Sequence, residues 1–520
     1  MSYSKIFSDL PELVYDIIKY FKNDFSTLHS CILVNRLWCR LAIPLLWENP
    51  FLIPNENYNF IGIYLHNLSD DLKAQLNEYK IDDKLFPSNT LFNYPIYLKY
   101  LYIEKIISSI EEWSKDVELE NRSIFEFKRL IHMSLFKIFI ENEVNIHTFD
   151  IEVNFSYIDD MLELILQNPN FLHNIRNLKF NCYDDLLNHT KNLTYQIINL
   201  CQNLKKISLA FNNSFLIYQT SLLSKDYNHS SNTLNTIVLY NINFKIITNL
   251  DNIFEQLNVL KSVHIIYCIL GTDFIQQIIN STKPFKLKSL FLNSNELQID
   301  ESLLLLIQKH GDYLENFGFS SGSNSLSEEQ QLLELIIKYC KNIKFLYLTA
   351  IINNIQIIYS LLNLTENVKQ NLNHLYINIF SNNNYSNSIE LSSIVLQNLG
   401  QLLPLKLEYL SLVLNIKYKN DFEMFLKNSQ NTFIKKLLIK NKRIKDDEEG
   451  RDIYDFILSY IKEYIMKKKR VKYLAIINFP SKIELFSFKD EVKEFELYNI
   501  KIQKYRDLCN FSKLKFIEQL

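Results

Sequence analysis

One short segment of this 520-residue sequence has the spacing of a catalytic nucleophile. GFSSG at residues 318–322 fits GxSxG, the strand-to-helix turn that exposes the serine of α/β-hydrolases. His310, His374 and nearby acidic residues could complete a hydrolytic site, but no spacing ties them to Ser320. That turn needs its helix to begin almost at the serine, whereas the best helix cap is Ser327. Serine hydrolysis through Ser320 is therefore kept only as a remote alternative.

Other catalytic and cofactor signatures are missing from the sequence. It contains seven glycines and neither GxGxxG nor GxxxxGK, the glycine-rich loops that let backbone amides approach a phosphate. It has no HExxH motif, and its seven cysteines include no CxxC pair. We therefore expect a non-catalytic protein without a cofactor or a metal site.

Charge and hydropathy limit the partners and the compartment. The net charge of −2 creates no overall field for nucleic acid or an anionic membrane, and we expect neither as a partner. The amino terminus lacks the basic start and uninterrupted apolar core of a secretory signal. The uncharged tract 345–365 carries polar residues at mid-span, which argues against a membrane helix. We expect a cytoplasmic or nuclear protein with reduced thiols. The basic runs 435–445 and 467–470 are a nuclear address, a contact for an acidic partner or solvated helix ends.

A self-similar pattern dominates the chain from residue 146 onward. The pattern is apolar-x-x-apolar-x-apolar, mostly at intervals of 26–30 residues. The fourteen copies begin at residues 146, 175, 204, 234, 260, 287, 314, 343, 372, 407, 434, 471, 492 and 514. The alternation at the end of each copy predicts a short strand with one buried face. Segments with helical spacing lie between the copies, for example 158–168, 272–281, 327–339 and 451–465.

A unit of one strand and one helix cannot bury its own apolar side. Such units stack, and the sequence therefore predicts an α/β fold in which parallel strands line the inside of a curved solenoid and helices cover its outside. The repeats resemble the leucine-rich-repeat family, particularly its long variety with the unit C-x-x-L-x-x-L-x-L-x-x-C. Cys201, Cys268 and Cys340 stand where that variety places cysteines, and we expect them to be buried apolar groups.

The amino-terminal residues have a second distinctive pattern. LPEL at 10–13 is followed by apolar residues at helical spacing, then VNRLWCRLA at 34–42 and LLW at 45–47. This order resembles an F-box, the three-helix motif by which substrate receptors bind the Skp-type adaptor of cullin-RING ubiquitin ligases. Two joins depart from the family in length, at LPEL and before Leu28. The remaining alternative is a helical cap that covers the first repeat.

The F-box resemblance implies an adaptor-binding surface. Its expected residues are Leu10, Pro11, Leu13, Ile17, Val34 and Trp38. The implied organisation is an adaptor-binding module at 1–50, a helical linker or degenerate repeats at 51–140, and a substrate-binding leucine-rich-repeat solenoid at 141–520. The linker region is punctuated by prolines and has helical segments at 57–79 and 122–142.

The inward positions of several repeats carry aromatic side chains. Strands lie ~4.8 Å apart, so these residues could form one patch for a protein substrate. They are Phe345, Tyr347, His374, Tyr376 and Tyr409. Alternatively, a chain with 13% aromatic residues scatters them everywhere, or a carboxy-terminal segment covers them.

Together these features predict the substrate-recognition subunit of an SCF-type E3 ubiquitin ligase, acting in ubiquitin-dependent protein degradation. The adaptor, and through it a cullin, would bind the F-box, and a protein substrate would bind the solenoid. The second hypothesis is a leucine-rich-repeat scaffold that binds proteins without any ligase.

Overall fold

The structure is a computed structural model of the whole chain. It describes residues 10–22, 24–53, 58–66, 68, 70–79, 89–115, 121–152, 157–182, 188–211, 233–246, 254, 257–283, 285–293, 300–322, 326–351, 355–380, 385–442, 448–479 and 483–509. The chain divides into two compact units. The first is residues 1–237 with 256–259, and the second is residues 238–255 with 260–520.

The first unit begins with three short helices: α1 (Pro11–Lys19), α2 (Phe25–Ile32) and α3 (Arg36–Leu46). Pro11 occupies the first turn of α1, where its missing N–H costs no hydrogen bond. The Asp24 and Asn35 side chains cap α2 and α3 by accepting from backbone amides, with Thr27 N at 3.1 Å and Trp38 N at 3.0 Å. The helices share one small core: Val14, Ile18, Leu28, Cys31, Ala42 and Leu45. We call residues 10–47 the helical module.

A parallel strand ladder follows the helical module in the first unit. Its strands pair in sequence order and are β1 (Tyr100–Tyr102), β2 (Thr148–Glu152), β3 (Asn177–Cys182) and β4 (Lys206–Phe211). Its helices are α4 (Phe60–Leu65), α5 (Asp70–Asn77), α6 (Ile103–Trp113), α7 (Asn121–Glu141), α8 (Ile158–Leu166) and α9 (Asn188–Leu200). The apolar residues of the strands and helices pack together, which forms the predicted α/β repeat with parallel strands.

Strand β1 shows that the repeats start earlier than residue 146. LKYLYI at 98–103 fits the repeat pattern, and Tyr100 pairs with Thr148 in parallel register. The Glu48 carbonyl accepts hydrogen bonds from the amides of Lys99 and Tyr100 at 3.0 and 3.2 Å. The Lys99 carbonyl accepts hydrogen bonds from two backbone amides of the next repeat in the same way. Glu48, the residue directly after the helical module, therefore starts the ladder of hydrogen bonds, and residues 98–113 form an early repeat within the region predicted as a helical linker or degenerate repeats.

Glu48 also holds this junction through its side chain. Its nearly buried carboxylate forms ion pairs with Lys22, at 2.6 Å, and with Lys99. Burial alone would raise the pKa of Glu48, but the two lysines more than offset that effect and hold it below its ordinary value. The carboxylate thus links the helical module to the first repeat.

Glu48→Gln is expected to lower the free energy of unfolding by about 2 kcal/mol at pH 7, because one neutral amide replaces a charge paired with two lysines. Because the folded pKa is depressed, this contribution is present above the ordinary carboxyl pKa of 4.5 and is lost as the pH falls through the folded value. Urea unfolding of both proteins at pH 7 and pH 3.5 measures the difference. A gap that stays constant with pH would contradict the role of the charge.

In the second unit, a longer ladder again pairs neighbouring strands in sequence order. Its strands are β6 (Ser262–Ile266), β7 (Lys286–Asn293), β8 (Asn316–Ser321), β9 (Phe345–Ile351), β10 (His374–Phe380), β11 (Lys406–Leu414), β12 (Phe433–Lys442) and β13 (Val471–Phe479), all parallel. The outer edge of β13 pairs with β14 (Ile483–Glu484), antiparallel, and with β15 (Lys501–Ile502), parallel. Strand β5 (Thr236–Tyr240) contains the division between the units.

Helices separate these strands along the chain of the second unit. They are α10 (Thr272–Asn280), α11 (Glu301–His310), α12 (Leu326–Tyr339), α13 (Ile355–Val368), α14 (Tyr385–Leu402), α15 (Lys419–Asn428), α16 (Glu448–Ile461), α17 (Lys489–Leu497) and α18 (Tyr505–Leu508). Successive helices from α10 to α16 pack against one another, so each strand–helix unit buries its apolar side against its neighbours, as in a solenoid-like repeat fold. None of the described helices combines the length and the apolar composition that a membrane-spanning helix requires.

Two sequence predictions are wrong in detail. VKEFEL at 492–497, taken as a repeat strand, lies in α17. Val492 and Phe495 are three residues apart, a spacing that a helix uses as readily as the repeat does. Ser327 was expected to cap α12, but that helix begins at Leu326, so Ser327 lies inside it. The repeat copy at 514 lies outside the described residues.

Candidate functional site

The helical module exposes an apolar stripe. Leu10, Leu13, Ile17 and Tyr20 follow one another at spacings of three and four residues, so they lie along one side of α1 and its end. Leu10 and Leu13 are each 47% exposed and Tyr20 is 91% exposed, while Ile17 is half-buried. Val14 and Ile18, on the adjoining side, are fully buried. One side of this helix therefore makes the core and another side presents apolar surface to solvent.

The turn between α2 and α3 exposes a second apolar group. Leu33 is 77% exposed and Val34 is 57% exposed. Trp38, one turn after Val34, is half-buried and packs against the core of the module. Exposed apolar side chains concentrated in so small a module are typical of a protein-binding surface. The role of these residues in adaptor binding stays a prediction.

The structure describes all six predicted adaptor-binding residues, and it separates them by exposure. Leu10, Pro11, Leu13 and Val34 are exposed, while Ile17 and Trp38 are half-buried. Trp38 thus contributes both to the core of the module and to its surface. Sequence reasoning did not assign Tyr20 or Leu33 to adaptor binding, although the three-to-four spacing from Leu13 and Ile17 would have identified Tyr20.

The predicted substrate-binding aromatics are neighbours on one face of the strand ladder of the second unit, which we call the face of the second unit. Strand register places Phe345, His374 and Tyr409 side by side, which we call the His374 row. The ring centroids of Phe345 and His374 are 5.9 Å apart, and those of His374 and Tyr409 are 6.3 Å apart. Burial lowers the pKa of His374, which favours its neutral form. The row is thus an uncharged stack of three rings.

A second row lies two residues further along the same strands. It contains Phe291, Gly318, Tyr347, Tyr376 and Ser411, and we call it the Tyr376 row. The rings of Tyr347 and Tyr376 stack with centroids 4.3 Å apart and planes 2° apart. The Phe291 ring lies over Gly318 and comes within 6.3 Å of the Tyr347 ring. Gly318 therefore leaves the space that lets the row continue across β8.

Exposure differs within the predicted substrate-binding set. Tyr347, His374 and Tyr376 are half-buried, whereas Phe345 and Tyr409 are buried. Phe345 packs in a cluster with Phe291, Val238 and Ile266. Phe345 and Tyr409 therefore support the face instead of forming its surface. For Tyr409, this agrees with the alternative that a carboxy-terminal segment covers the aromatic residues.

Gly318→Ala is expected to displace the Phe291 ring, because an added Cβ would overlap it. Overpacking of this kind costs about 1–3 kcal/mol. Chemical denaturation gives the change in the free energy of unfolding. Ser320→Ala in the same strand is the matched control and should leave stability within error; equal stability of the two variants would contradict the close approach of Phe291 to Gly318.

The candidate hydrolase residues are not brought together. Ser320 lies within β8, and α12 begins six residues later at Leu326. The register aligns His374 with Asn316, four residues before Ser320 and two strands away, or about 16 Å. His310 is buried against Phe285 at the end of α11, where burial lowers its pKa to about 4. The GxSxG match is explained by the repeat strand and by the space needed beneath Phe291.

Cysteines and other potential metal ligands are dispersed. Cys201, Cys268 and Cys340 are buried, and burial raises the pKa of each thiol to about 12, as expected of small apolar core groups. The described cysteines Cys31, Cys39, Cys201, Cys268, Cys340 and Cys509 are free thiols. Within the part of the chain that the structure describes, no cluster of three or more His, Cys, Asp or Glu side chains could hold a metal ion.

Comparison with known proteins adds little to this description. No family model matches the chain, and no curated protein matches it. One similar solved structure is described as "Crystal structure of Rad7 and Elc1 complex in yeast". The similarity has a TM-score of 0.32 with 13% identity, and it covers 70% of this chain and 96% of that chain. A TM-score this low supports neither a shared fold nor a shared function. The functional conclusion therefore rests on the residues described above.

Proposed function

We propose that this protein is a non-catalytic substrate receptor of a ubiquitin ligase, which binds a Skp-type adaptor through the helical module and a protein substrate through the repeat face. The observation that carries the proposal is the set of exposed apolar residues on a module that already has its own core: Leu10 and Leu13 on α1, and Leu33 and Val34 in the turn before α3. A helical cap would bury such residues against the first repeat.

The motif and the exposed residues support the proposal together. The F-box-like LPEL and VNRLW segments supply Leu10, Leu13 and Val34, and these are three of the exposed apolar residues of the module. Residues that sequence resemblance assigns to a partner surface are therefore available for a partner. The protein would act by holding a substrate near catalytic subunits, which raises the effective concentration of the reactants.

The test is reconstitution of the full chain with purified Skp-type adaptor and cullin, followed by size-exclusion chromatography. The proposal predicts co-elution of all three proteins, with cullin retained only when the adaptor is present. If the folded chain elutes alone, the protein is a repeat scaffold that binds proteins without a ligase. The adaptor interaction is thus the property that separates the two hypotheses.

A further inference from the structure

The face of the second unit is partly occupied by the chain's own carboxy-terminal region. Residues 505–509, which we call the cover segment, lie over strands β11–β13. Leu508 is buried in a cluster with Tyr409, Leu438 and Ala475, and Tyr505 and Cys509 pack against the same cluster. Tyr409, Leu438 and Ala475 come from three successive strands, so the cover segment crosses the face.

Tyr505 continues the Tyr376 row where that row lacks an aromatic side chain. Ser411 follows Tyr376 in register, and its Oγ lies 3.5 Å from the Tyr505 hydroxyl. The Lys440 ammonium is 6.0 Å from the centre of the Tyr505 ring, within reach of a cation–π interaction. Burial raises the pKa of Tyr505, so the hydroxyl stays protonated. The face therefore has a preformed binding position for one aromatic ring beside Ser411 and Lys440.

The cover segment is not needed to close the end of the ladder. The outer edge of β13 already pairs with β14 and β15, which precede the cover segment in the chain. The apolar residues Leu485 and Phe495 of the same region are fully buried. A cap protects the last edge and core of a repeat array, whereas the cover segment lies on the face that carries the aromatic rows.

Among the described residues, the cover segment is attached mainly through side chains and makes few backbone hydrogen bonds to the strands. Its helix α18 is a single turn of four residues, far below the ~12–15 residues at which an isolated helix becomes stable. Just before the cover segment, Gln503 N donates to the Leu474 carbonyl at 3.1 Å; within it, Tyr505 N donates to the Glu484 carboxylate at 3.2 Å. Short segments held by so few backbone hydrogen bonds open locally at a small fraction of the global unfolding free energy.

We propose that the cover segment is an internal occupant of the substrate-binding face, and that a substrate segment with an aromatic residue and an aliphatic residue three positions later displaces it. The inference rests on the proposed function and specifies how its substrate face is regulated. Tyr505 and Leu508 define the occupant's chemistry, because they contact the face while Arg506 and Asp507 are exposed. When the cover segment is displaced, Tyr409 becomes exposed. The His374 row, the Tyr376 row and the surface of β12 and β13 then form one continuous binding face.

The experiment uses the full chain and a labelled synthetic peptide with the sequence of residues 501–509, carrying serine in place of Cys509. Tyr505→Ala/Leu508→Ala removes the two contacts and opens the face; Arg506→Ala/Asp507→Ala is the matched control. Because the native cover competes at the high effective concentration of a tethered group, the opened variant should bind the peptide at least about tenfold more tightly than the native chain does. The control variant should behave like the native chain.

Each outcome decides the proposal. A peptide with Tyr505→Ala should lose binding to the opened variant, and adding the unmodified peptide should slow amide exchange in residues 406–414 of that variant. Equal binding by the native chain and the opened variant, or failure of a folded opened variant to bind, would overturn the proposal. Dimerisation of the opened variant would assign the face to a second copy and would also overturn it. Adaptor binding measured on the same samples separates these failures from a failure of the proposed function.

Discussion

Replacing Leu13 and Val34 together by aspartate is expected to abolish adaptor binding while leaving the fold intact. These side chains are 47% and 57% exposed, so the substitutions bury no new charge in the module. In a docked complex, the same positions would become desolvated, and each buried carboxylate would add to the loss of apolar contact. Losing two central anchors costs about 4 kcal/mol or more, which is an affinity loss of about a thousandfold. Calorimetric titration with purified Skp-type adaptor measures it.

The matched control is Leu91→Asp, because Leu91 is 90% exposed and lies outside the helical module. That variant should bind the adaptor like the native chain. Thermal unfolding should give similar midpoints for all three proteins. Unchanged adaptor affinity in the Leu13→Asp/Val34→Asp variant would remove the helical module from the interaction.

Point variants test this surface more cleanly than truncation or Trp38→Ala. Removing residues 1–50 would also remove Glu48, whose carbonyl accepts the first hydrogen bonds of the strand ladder. Trp38 is half-buried against the module core, so Trp38→Ala costs about 2 kcal/mol of stability in addition to any effect on binding. Exposed Leu13 and Val34 do not have this double role.

The second large effect is expected at Arg470, a buried arginine just before β13. Its guanidinium donates to the carbonyls of Leu426, Ser429 and Thr432, near the end of α15 and in the turn that follows. Burial lowers its pKa to about 10, so the side chain stays charged at neutral pH. Arg470→Met leaves these carbonyls without this donor and is expected to cost about 4 kcal/mol in the free energy of unfolding.

Urea denaturation of the full chain, monitored by circular dichroism, gives this difference. Lys468→Met in the preceding turn is the control, because Lys468 is exposed and its loss should change stability by less than about 0.5 kcal/mol. If the two variants are equally stable, the guanidinium does not hold the turn after α15 against β13.

The repeat architecture could be predicted because one face of each strand is buried. A register error of one residue would turn every apolar side chain of a strand outward, so the pattern at 175, 343 or 372 specifies both the strand and its orientation. The same logic identified the neighbours Tyr347 and Tyr376, which the structure stacks. The pattern predicted the wrong element in α17, because the three-residue spacing of the repeat is also a helical spacing.

Long-range contacts could not be derived from local patterns. The ion pairs of Glu48 join residues 22, 48 and 99, and no spacing within the sequence relates these positions. The burial of Tyr409 depends on Leu508, about a hundred residues away, so its exposure could not be inferred from its own strand. The early repeat at 98–103 was detectable from its pattern, but 48 residues separate it from the copy at 146.

Adaptor binding is tested most directly by calorimetric titration of the intact, folded chain with purified Skp-type adaptor. We expect one-to-one binding that is lost in the Leu13→Asp/Val34→Asp variant and kept in Leu91→Asp. Absence of binding by the intact chain, with its folding verified by a cooperative thermal transition, would contradict the assignment as a ligase receptor and leave a repeat scaffold.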